Sequence, residues 1–348
     1  MASFFTFIVV WLISKQRAKF SKLLNTNKST LLETTTNNLS STNFVISTEL
    51  SSKSERNFSL HAQANFANLQ RPETKKLSLH EQRNRYKKNH EKLFHNKADF
   101  AAMGKLLSGT SLCNSKYPVL IGGVNRGQFT TEFLKNCPRA QINGFEIQPD
   151  MFEASKLLFA NNPNVKIHNI GWGERLQSGL PISGKDGHAG IFTTIGTGRK
   201  SMKRQTNLAN VTSVADWCIE RGIDLSSYVA IDVEGFEPKV LRGMRLDETQ
   251  NQARFPHFQF ELGGTWARKD PRHGHELEWS QYDAASYLEK NGFKLFLIGQ
   301  DEWMQVDPYF FKMSDHALDE GYGRFIQGNL LALHSTFSFP DVLHRVLS

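Results

Sequence analysis

The chain has 348 residues and a formal net charge of +8, a length expected for one large domain or two modest ones. Its basic charge is concentrated at the start: residues 1–110 carry 17 lysines and arginines against 7 aspartates and glutamates, whereas residues 111–348 carry 25 against 27. The second part is nearly neutral, which argues against a nucleic-acid groove there.

The three cysteines, Cys113, Cys137 and Cys218, lie far apart in the sequence. An odd number without a Cys-x-x-Cys element predicts reduced thiols and no disulfide framework.

The leading 110 residues divide into two segments. Residues 4–13 are almost wholly apolar, but a run of this length is shorter than the roughly 20 residues that a membrane-spanning helix needs. Basic residues follow at once, and residues 21–59 are then dominated by Ser, Thr and Asn. We therefore predict a targeting-like, low-complexity leader over residues 1–70, organellar or secretory, which contacts a membrane or import machinery through residues 4–22. A dispensable disordered extension is the alternative. Residues 71–110 form a basic helical segment, whose charged run is either a contact for an acidic partner or a solvated helix face.

Residues 117–150 have the pattern of the first half of a nucleotide-binding βαβ unit. An apolar strand leads into a loop with Gly123, Asn125 and Gly127, and after a helix a second strand ends at Glu146. Glycines let the backbone approach a ligand, and a carboxylate about 20 residues further on can accept hydrogen bonds from ribose hydroxyls. The loop lacks the third glycine of dinucleotide sites and the lysine of triphosphate loops. It suits an adenosine with a small polar tail, such as S-adenosylmethionine, although a purely structural turn has the same residues.

Strands and helices alternate through the rest of the chain. Further strands are predicted over residues 165–170, 228–232, 257–261, 293–298 and 329–333, and helices over residues 151–160, 211–221, 239–244 and 279–291, with a surface excursion over residues 175–204. This order predicts an α/β fold with a doubly wound, mostly parallel, seven-stranded sheet. Ligands of such sheets bind at the carboxyl ends of the strands. The polar residues at those ends are Asn125, Glu146, Asn169, Asp232, Glu234 and Glu261.

Three ordered motifs carry a resemblance to a known family. The run Ile231-Asp232-Val233-Glu234-Gly235-Phe236-Glu237, followed by Val240-Leu241-Arg242-Gly243, resembles the Asp-Val-Glu-Gly-x-Glu and Val-Leu-x-Gly motifs of the FkbM family of S-adenosylmethionine-dependent methyltransferases. The glycine loop at residues 123–127 is similar to that family's Gly-Ala-Asn-x-Gly, and residues 145–149 are similar to its Phe-Glu-x-x-Pro. The likeness covers residues 117–335. Two positions depart from it: Ile121 stands where the family has an acid, and Ala230 where it has a lysine.

The resemblance implies a Rossmann-like class I methyltransferase domain over residues 111–340, with S-adenosylmethionine as cofactor and a hydroxyl of a small molecule or glycan as acceptor. The cofactor-binding residues expected are Gly123, Asn125 and Gly127 below the methionine portion, Glu146 at the ribose, Asn169, Gly171 and Trp172 at the adenine, and Asp232. Asp232 and Glu234 are also the catalytic candidates, since a hydroxyl acceptor must be positioned and lose a proton. No nucleic acid is expected as a partner.

Several alternatives stay open at this stage. Glu234 could cap the following helix instead of acting on an acceptor. Asp232 and Glu261 could bracket a divalent metal, although a hydrogen-bonding acid without metal is the simpler reading. His273 and His275 lie in a loop that could gate substrate. The two departures allow a catalytically silent cofactor-binding protein, and the basic leader allows a nucleic-acid-binding protein.

Overall fold

The computed structural model describes residues 77–82, 84, 98–114, 116–182, 207–262, 279–299, 303–317 and 328–347. The predicted leader over residues 1–70, including its membrane or import contact at residues 4–22, lies outside them, as does the loop with His273 and His275. Within the described part, no helix is long and apolar enough to cross a membrane.

The described chain alternates between strands and helices. The strands are β1 (Val119–Gly122), β2 (Ile142–Phe145), β3 (Val165–His168), β4 (Gly171–Gly173), β5 (Gln177–Ile182), β6 (Asn207–Ser213), β7 (Tyr228–Ile231), β8 (His257–Leu262), β9 (Phe293–Ile298), β10 (Trp303–Val306) and β11 (Gly328–His334). The helices are α1 (Ala98–Leu107), α2 (Ser111–Asn114), α3 (Gln128–Asn136), α4 (Pro149–Leu158), α5 (Val214–Glu220), α6 (Glu237–Gly243), α7 (Thr249–Arg254), α8 (Gln281–Lys290), α9 (Pro308–Ala317) and α10 (Pro340–Leu347).

The large sheet has the strand order β10-β9-β11-β8-β7-β1-β2-β3. Strands β3, β2, β1, β7 and β8 run parallel, and in chain order they occupy positions 3-2-1-4-5, as in doubly wound sheets. Strand β11 lies antiparallel between β8 and β9. The doubly wound, mostly parallel α/β sheet is therefore confirmed. The strand order reverses between β1 and β7, and ligands bind at such a switch point.

Three local predictions were wrong. The sheet has eight strands instead of seven, because β10, which was not predicted from the sequence, pairs with the edge of β9. Residues 175–204 were expected to form a surface excursion without regular structure, but in its described part, residues 175–182, β5 pairs with β6 in a separate three-stranded sheet with β4. The helix predicted from residue 211 begins at Val214, because β6 runs to Ser213, whose side chain caps the helix by accepting the Asp216 backbone N–H.

Two apolar cores cover the faces of the large sheet. Successive residues of a strand point to opposite faces, so Leu120 and Ile231 enter one core while Ile121 and Ala230 enter the other. The second core also takes up α1 through residues such as Leu106. Burial on both faces holds the carboxyl ends of β1 and β7 in a fixed position at the switch point.

The structure contradicts the prediction of three reduced thiols. Cys113 and Cys137 form a disulfide with their Cα atoms 4.7 Å apart, while Cys218 is free and buried. The two partners are 24 residues apart in the sequence, and β1 and α3 lie between them. Because this proximity comes from the fold of the intervening chain, the spacing of the cysteines does not reveal it.

Breaking this disulfide is expected to lower the free energy of unfolding. Closing a loop of this length lowers the entropy of the unfolded chain and so raises its free energy by roughly 3.5 kcal/mol. Urea unfolding should therefore show a loss of that order when reductant is added to the wild-type protein. The Cys113→Ser variant should show the same loss without reductant and no further change with it, and a reductant effect on that variant would contradict the assignment.

Candidate active site

A cleft opens at the carboxyl ends of β1, β2 and β7, where the topology places a ligand site. Its empty volume is about 540 Å³, part of which is open to solvent. The residues that line it come from the loops after these strands and from β4: Gly123, Asn125, Phe145, Glu146, Ile147, Gln148, Gly171, Trp172, Asp232, Val233 and Glu234.

The glycine loop begins at a close contact between two backbones. A Cβ atom on Gly123 would lie 1.7 Å from the carbonyl oxygen of Asp232, and the φ of Gly123 is +83°, in the left-handed region. Beside it, the Asp232 backbone N–H donates to the carbonyl oxygen of Gly122 at 3.0 Å. Only glycine is compatible with this position. The contact locks the loop after β1 to the loop after β7, and both loops line the cleft.

Glu146 is nearly fully buried at the end of β2, with an exposed fraction of 4%. Its two carboxylate oxygens accept backbone N–H groups from Asn125 at 2.7 Å and from Gln148 at 2.8 Å. Burial raises the pKa of Glu146, and these two hydrogen bonds oppose that shift. An ionised carboxylate has about four acceptor sites, so the group can still accept hydroxyl donors from a ligand.

Aromatic rings form the apolar wall of the cleft. The rings of Trp172 and Phe145 lie with centroids 4.7 Å apart, and both side chains are buried. The Trp172 ring packs over Gly122, where a Cβ atom would come within 2.2 Å of it. The indole Nε1 of Trp172 is buried and has no hydrogen-bond partner among the described residues. This wall offers an apolar, aromatic surface, which is the usual lining of a ligand pocket.

Acidic side chains gather beside the cleft, after β7 and β8. Asp232 and Glu261 are hydrogen-bonded through their carboxyl groups, and Glu237 lies beside them. Burial raises the pKa of each group, and the neighbouring carboxylates raise it further. The side chain of Asp232 is partly exposed, but its carboxyl group lies close to the other acids. Both the loss of solvent around that group and the nearby negative charges therefore raise its pKa. The pKa of Glu237 rises to about 7.

The structure brings most of the predicted cofactor residues into one cleft. Gly123, Asn125, Glu146, Gly171, Trp172 and Asp232 line it, as does the catalytic candidate Glu234. Gly127 and Asn169 do not. Gly127 has a φ of +79° at the start of α3, and the Asn169 side-chain amide donates to the Glu146 carbonyl oxygen at 2.9 Å, so it braces the backbone after β2.

Two points about the motif after β7 need correction. Glu234 does not cap the following helix: the N-cap of α6 is Phe236, without a side-chain hydrogen bond. Glu234 instead has a φ of +55° and is exposed. Glu237 was quoted within the motif but received no role, although it is buried and its carboxylate accepts the Val233 N–H at 2.9 Å. A glutamate followed by proline is ordinary at a helix start, so only the motif itself could have drawn attention to it.

Comparisons with known proteins give likeness in fold only. No protein-family profile and no curated protein matches the chain. Among solved structures, the chain is similar to the 23S rRNA methyltransferase ErmE (14% identity, 73% of this chain and 75% of that chain, TM-score 0.33). It is also similar to the bifunctional kinase-methyltransferase WbdD (11% identity, 69% and 39%, TM-score 0.36) and to the methyltransferase domain of bacterial CtHen1-C (12% identity, 68% and 98%, TM-score 0.35). The chain thus spans about two fifths of the length of WbdD. TM-scores this low carry no argument about this chain.

The fold is the Rossmann-like class I methyltransferase fold that the sequence predicted. Five parallel strands in the order 3-2-1-4-5 are followed by the antiparallel β11, which is inserted before the last parallel strand, β9. The FkbM family remains a resemblance carried by three motifs.

Two glycine variants should separate two contributions to stability at Gly123: the close backbone contact and the left-handed backbone conformation. Gly179 has a comparable φ of +69°, but a Cβ atom there would meet nothing within 4 Å. Gly179→Ala should therefore cost only about 1–2 kcal/mol in the free energy of unfolding. Gly123→Ala adds an overpacking cost and should total about 2–5 kcal/mol in urea unfolding. Equal losses in the two variants would show that the Asp232 contact does not constrain the loop.

Proposed function

We propose that this protein is an S-adenosylmethionine-dependent methyltransferase that methylates an oxygen of a small molecule or sugar. The observation that carries the proposal is the buried carboxylate of Glu146 at the end of β2, which lines the cleft at the switch point of a methyltransferase fold. In this arrangement the carboxylate binds the ribose hydroxyls. The close-packed glycine loop passes below the methionine portion, and the wall of Trp172 and Phe145 takes the adenine.

The acids after β7 are suited to binding the methyl acceptor and taking up its proton. Methyl transfer from a sulfonium is an in-line displacement, so the protein mainly has to align the acceptor oxygen and take up its proton. Asp232 lies in the cleft, and its pKa is raised by the loss of solvent around its carboxyl group and by the neighbouring charge of Glu234. A carboxylate with a raised pKa near the operating pH is a more effective general base than an ordinary one. We assign it that role, with Glu234 at the cleft edge orienting the acceptor.

The two departures from the family pattern do not favour a silent protein. Ile121 and Ala230 are partners in the register of β1 and β7, and both side chains are buried in the same apolar core. An acid and a lysine at these positions would be cross-strand neighbours and could pair with each other. Replacing both by apolar residues removes such a pair together, which is often neutral or stabilising. The departures therefore count as one exchange within the core, away from the groups that line the cleft.

The Glu146→Gln variant tests the cofactor site. Gln keeps an oxygen that can accept a backbone N–H but lacks the charge, and a hydrogen bond to a charged group contributes about 1.5–3 kcal/mol. Isothermal titration should show that S-adenosylmethionine binds the full chain and that the variant binds about 10- to 100-fold more weakly. Asp150→Asn, an exposed acid at the start of α4, is the matched control and should bind as the wild type does.

A labelled-methyl transfer assay against cell extract then separates the remaining readings. Wild-type protein should transfer label, and Asp232→Ala should lose transfer. Cofactor binding by the wild type without transfer to any extract fraction would favour a silent cofactor-binding protein. No binding of S-adenosylmethionine would reject the proposed function.

A further inference from the structure

Three carboxylates from different elements converge beside the cleft. Asp232 follows β7, Glu261 lies in β8, and Glu237 begins α6. Each of them offers an oxygen atom, and these oxygens all lie within 4.8 Å of one another. Within the described residues, every charged group that shifts the pKa of Asp232 or Glu261 is another acid, including Glu234.

One oxygen of this group is buried without a partner. Glu237 has an exposed fraction of 1%, and its Oε1 accepts the Val233 N–H at 2.9 Å. Its Oε2 is buried and has no hydrogen-bond partner among the described residues. Buried polar atoms are nearly always hydrogen-bonded, and buried charges are paired or coordinate a metal. This atom therefore points to a ligand that supplies positive charge.

We propose that Asp232, Glu237 and Glu261 bind a divalent cation that prefers oxygen ligands, of the class of Mg²⁺, Mn²⁺ and Ca²⁺. Carboxylate oxygens are the ligands that these hard cations select. Three oxygens spread evenly around one ion are about 4.0–4.5 Å apart for Ca²⁺ and about 3.5 Å apart for Mg²⁺. Oxygens that lie within 4.8 Å of one another therefore need only a modest contraction to bind a single ion. These ions take six or more oxygen ligands, so three carboxylates leave coordination positions for neutral oxygen ligands as well.

The site has an open side and a short path to the cleft. Asp232 is exposed and lines the cleft, whereas Glu237 is enclosed and Glu261 is half-buried. An ion can therefore enter past Asp232 and complete its coordination with water or with an oxygen of a bound acceptor. This role, unlike the binding of the ion, rests on the proposed function: a cation there would hold the acceptor hydroxyl and favour loss of its proton, in place of a direct proton transfer to Asp232.

Calorimetric titration of the full chain with Mn²⁺, after treatment with EDTA and its removal, tests the site. The wild type should bind with saturation at one site. Glu237→Gln and Glu261→Gln should each weaken binding at least about 10-fold, because each removes one charged ligand. At position 237 the Gln side chain can still accept the Val233 N–H, so circular dichroism should show a folded variant. Glu132→Gln removes a carboxylate on α3 that pairs with Lys135 and does not belong to the cluster, and it should leave Mn²⁺ binding unchanged.

The outcomes distinguish this proposal from the proposed function. Absence of saturable Mn²⁺ binding, or equal binding by wild type and by both cluster variants, would overturn the metal site. Binding of S-adenosylmethionine in the presence of EDTA is measured on the same samples. If it persists while Mn²⁺ fails to bind, only the metal site is rejected; if Mn²⁺ binds with the expected variant pattern and the cofactor does not, the metal site stands and the proposed function fails.

Discussion

The arrangement of this site depends on the contact between the backbones that leave β1 and β7. At Gly123 the chain passes so close to the Asp232 carbonyl oxygen that no side chain fits between them. The hydrogen bond from the Asp232 N–H to Gly122 fixes the same junction one residue earlier. Because both strands are buried on their two faces, neither can move away from the other. The positions of the glycine loop and of the acids after β7 are therefore coupled.

This coupling extends to Glu146 through the loop. The carboxylate accepts the N–H of Asn125, which has a left-handed φ of +51° in the middle of the glycine loop. Asn125 and Gly123 thus keep the loop in one conformation, and Glu146 holds it from the side of β2. The three strand ends that form the cleft are joined by backbone hydrogen bonds and by one buried side chain. A ligand that enters meets a pre-formed site, which lowers the conformational cost of binding.

The sequence predicted the sheet and much of the cleft, because those signals are local. Apolar strands, a glycine turn and acids at strand ends can all be read within a few residues of Gly123, Glu146 and Asp232. What the sequence did not show depends on residues that are distant in the chain. The disulfide between Cys113 and Cys137 requires the packing of α3, and the pairing of β5 with β6 spans residues with little pattern. Whether a polar residue lines the cleft or braces the backbone, as Asn169 does, depends on where its neighbours lie in space.

The acids of the site show how environment assigns different tasks to one chemical group. Glu146 has a backbone N–H donor at each carboxylate oxygen, so its charge is compensated by dipoles, and it is suited to accept further hydrogen bonds from neutral hydroxyls. Glu237 is also buried, and backbone N–H groups of residues 233–237 lower its pKa, but its Oε2 makes no hydrogen bond among the described residues and the charged group that acts on it, Asp232, is acidic. A neutral hydroxyl cannot offset that excess of negative charge, whereas protons or a metal ion can. The same physical argument therefore assigns the ribose to the side of β2 and a cation to the side of β7 and β8, with the acceptor between them at Asp232.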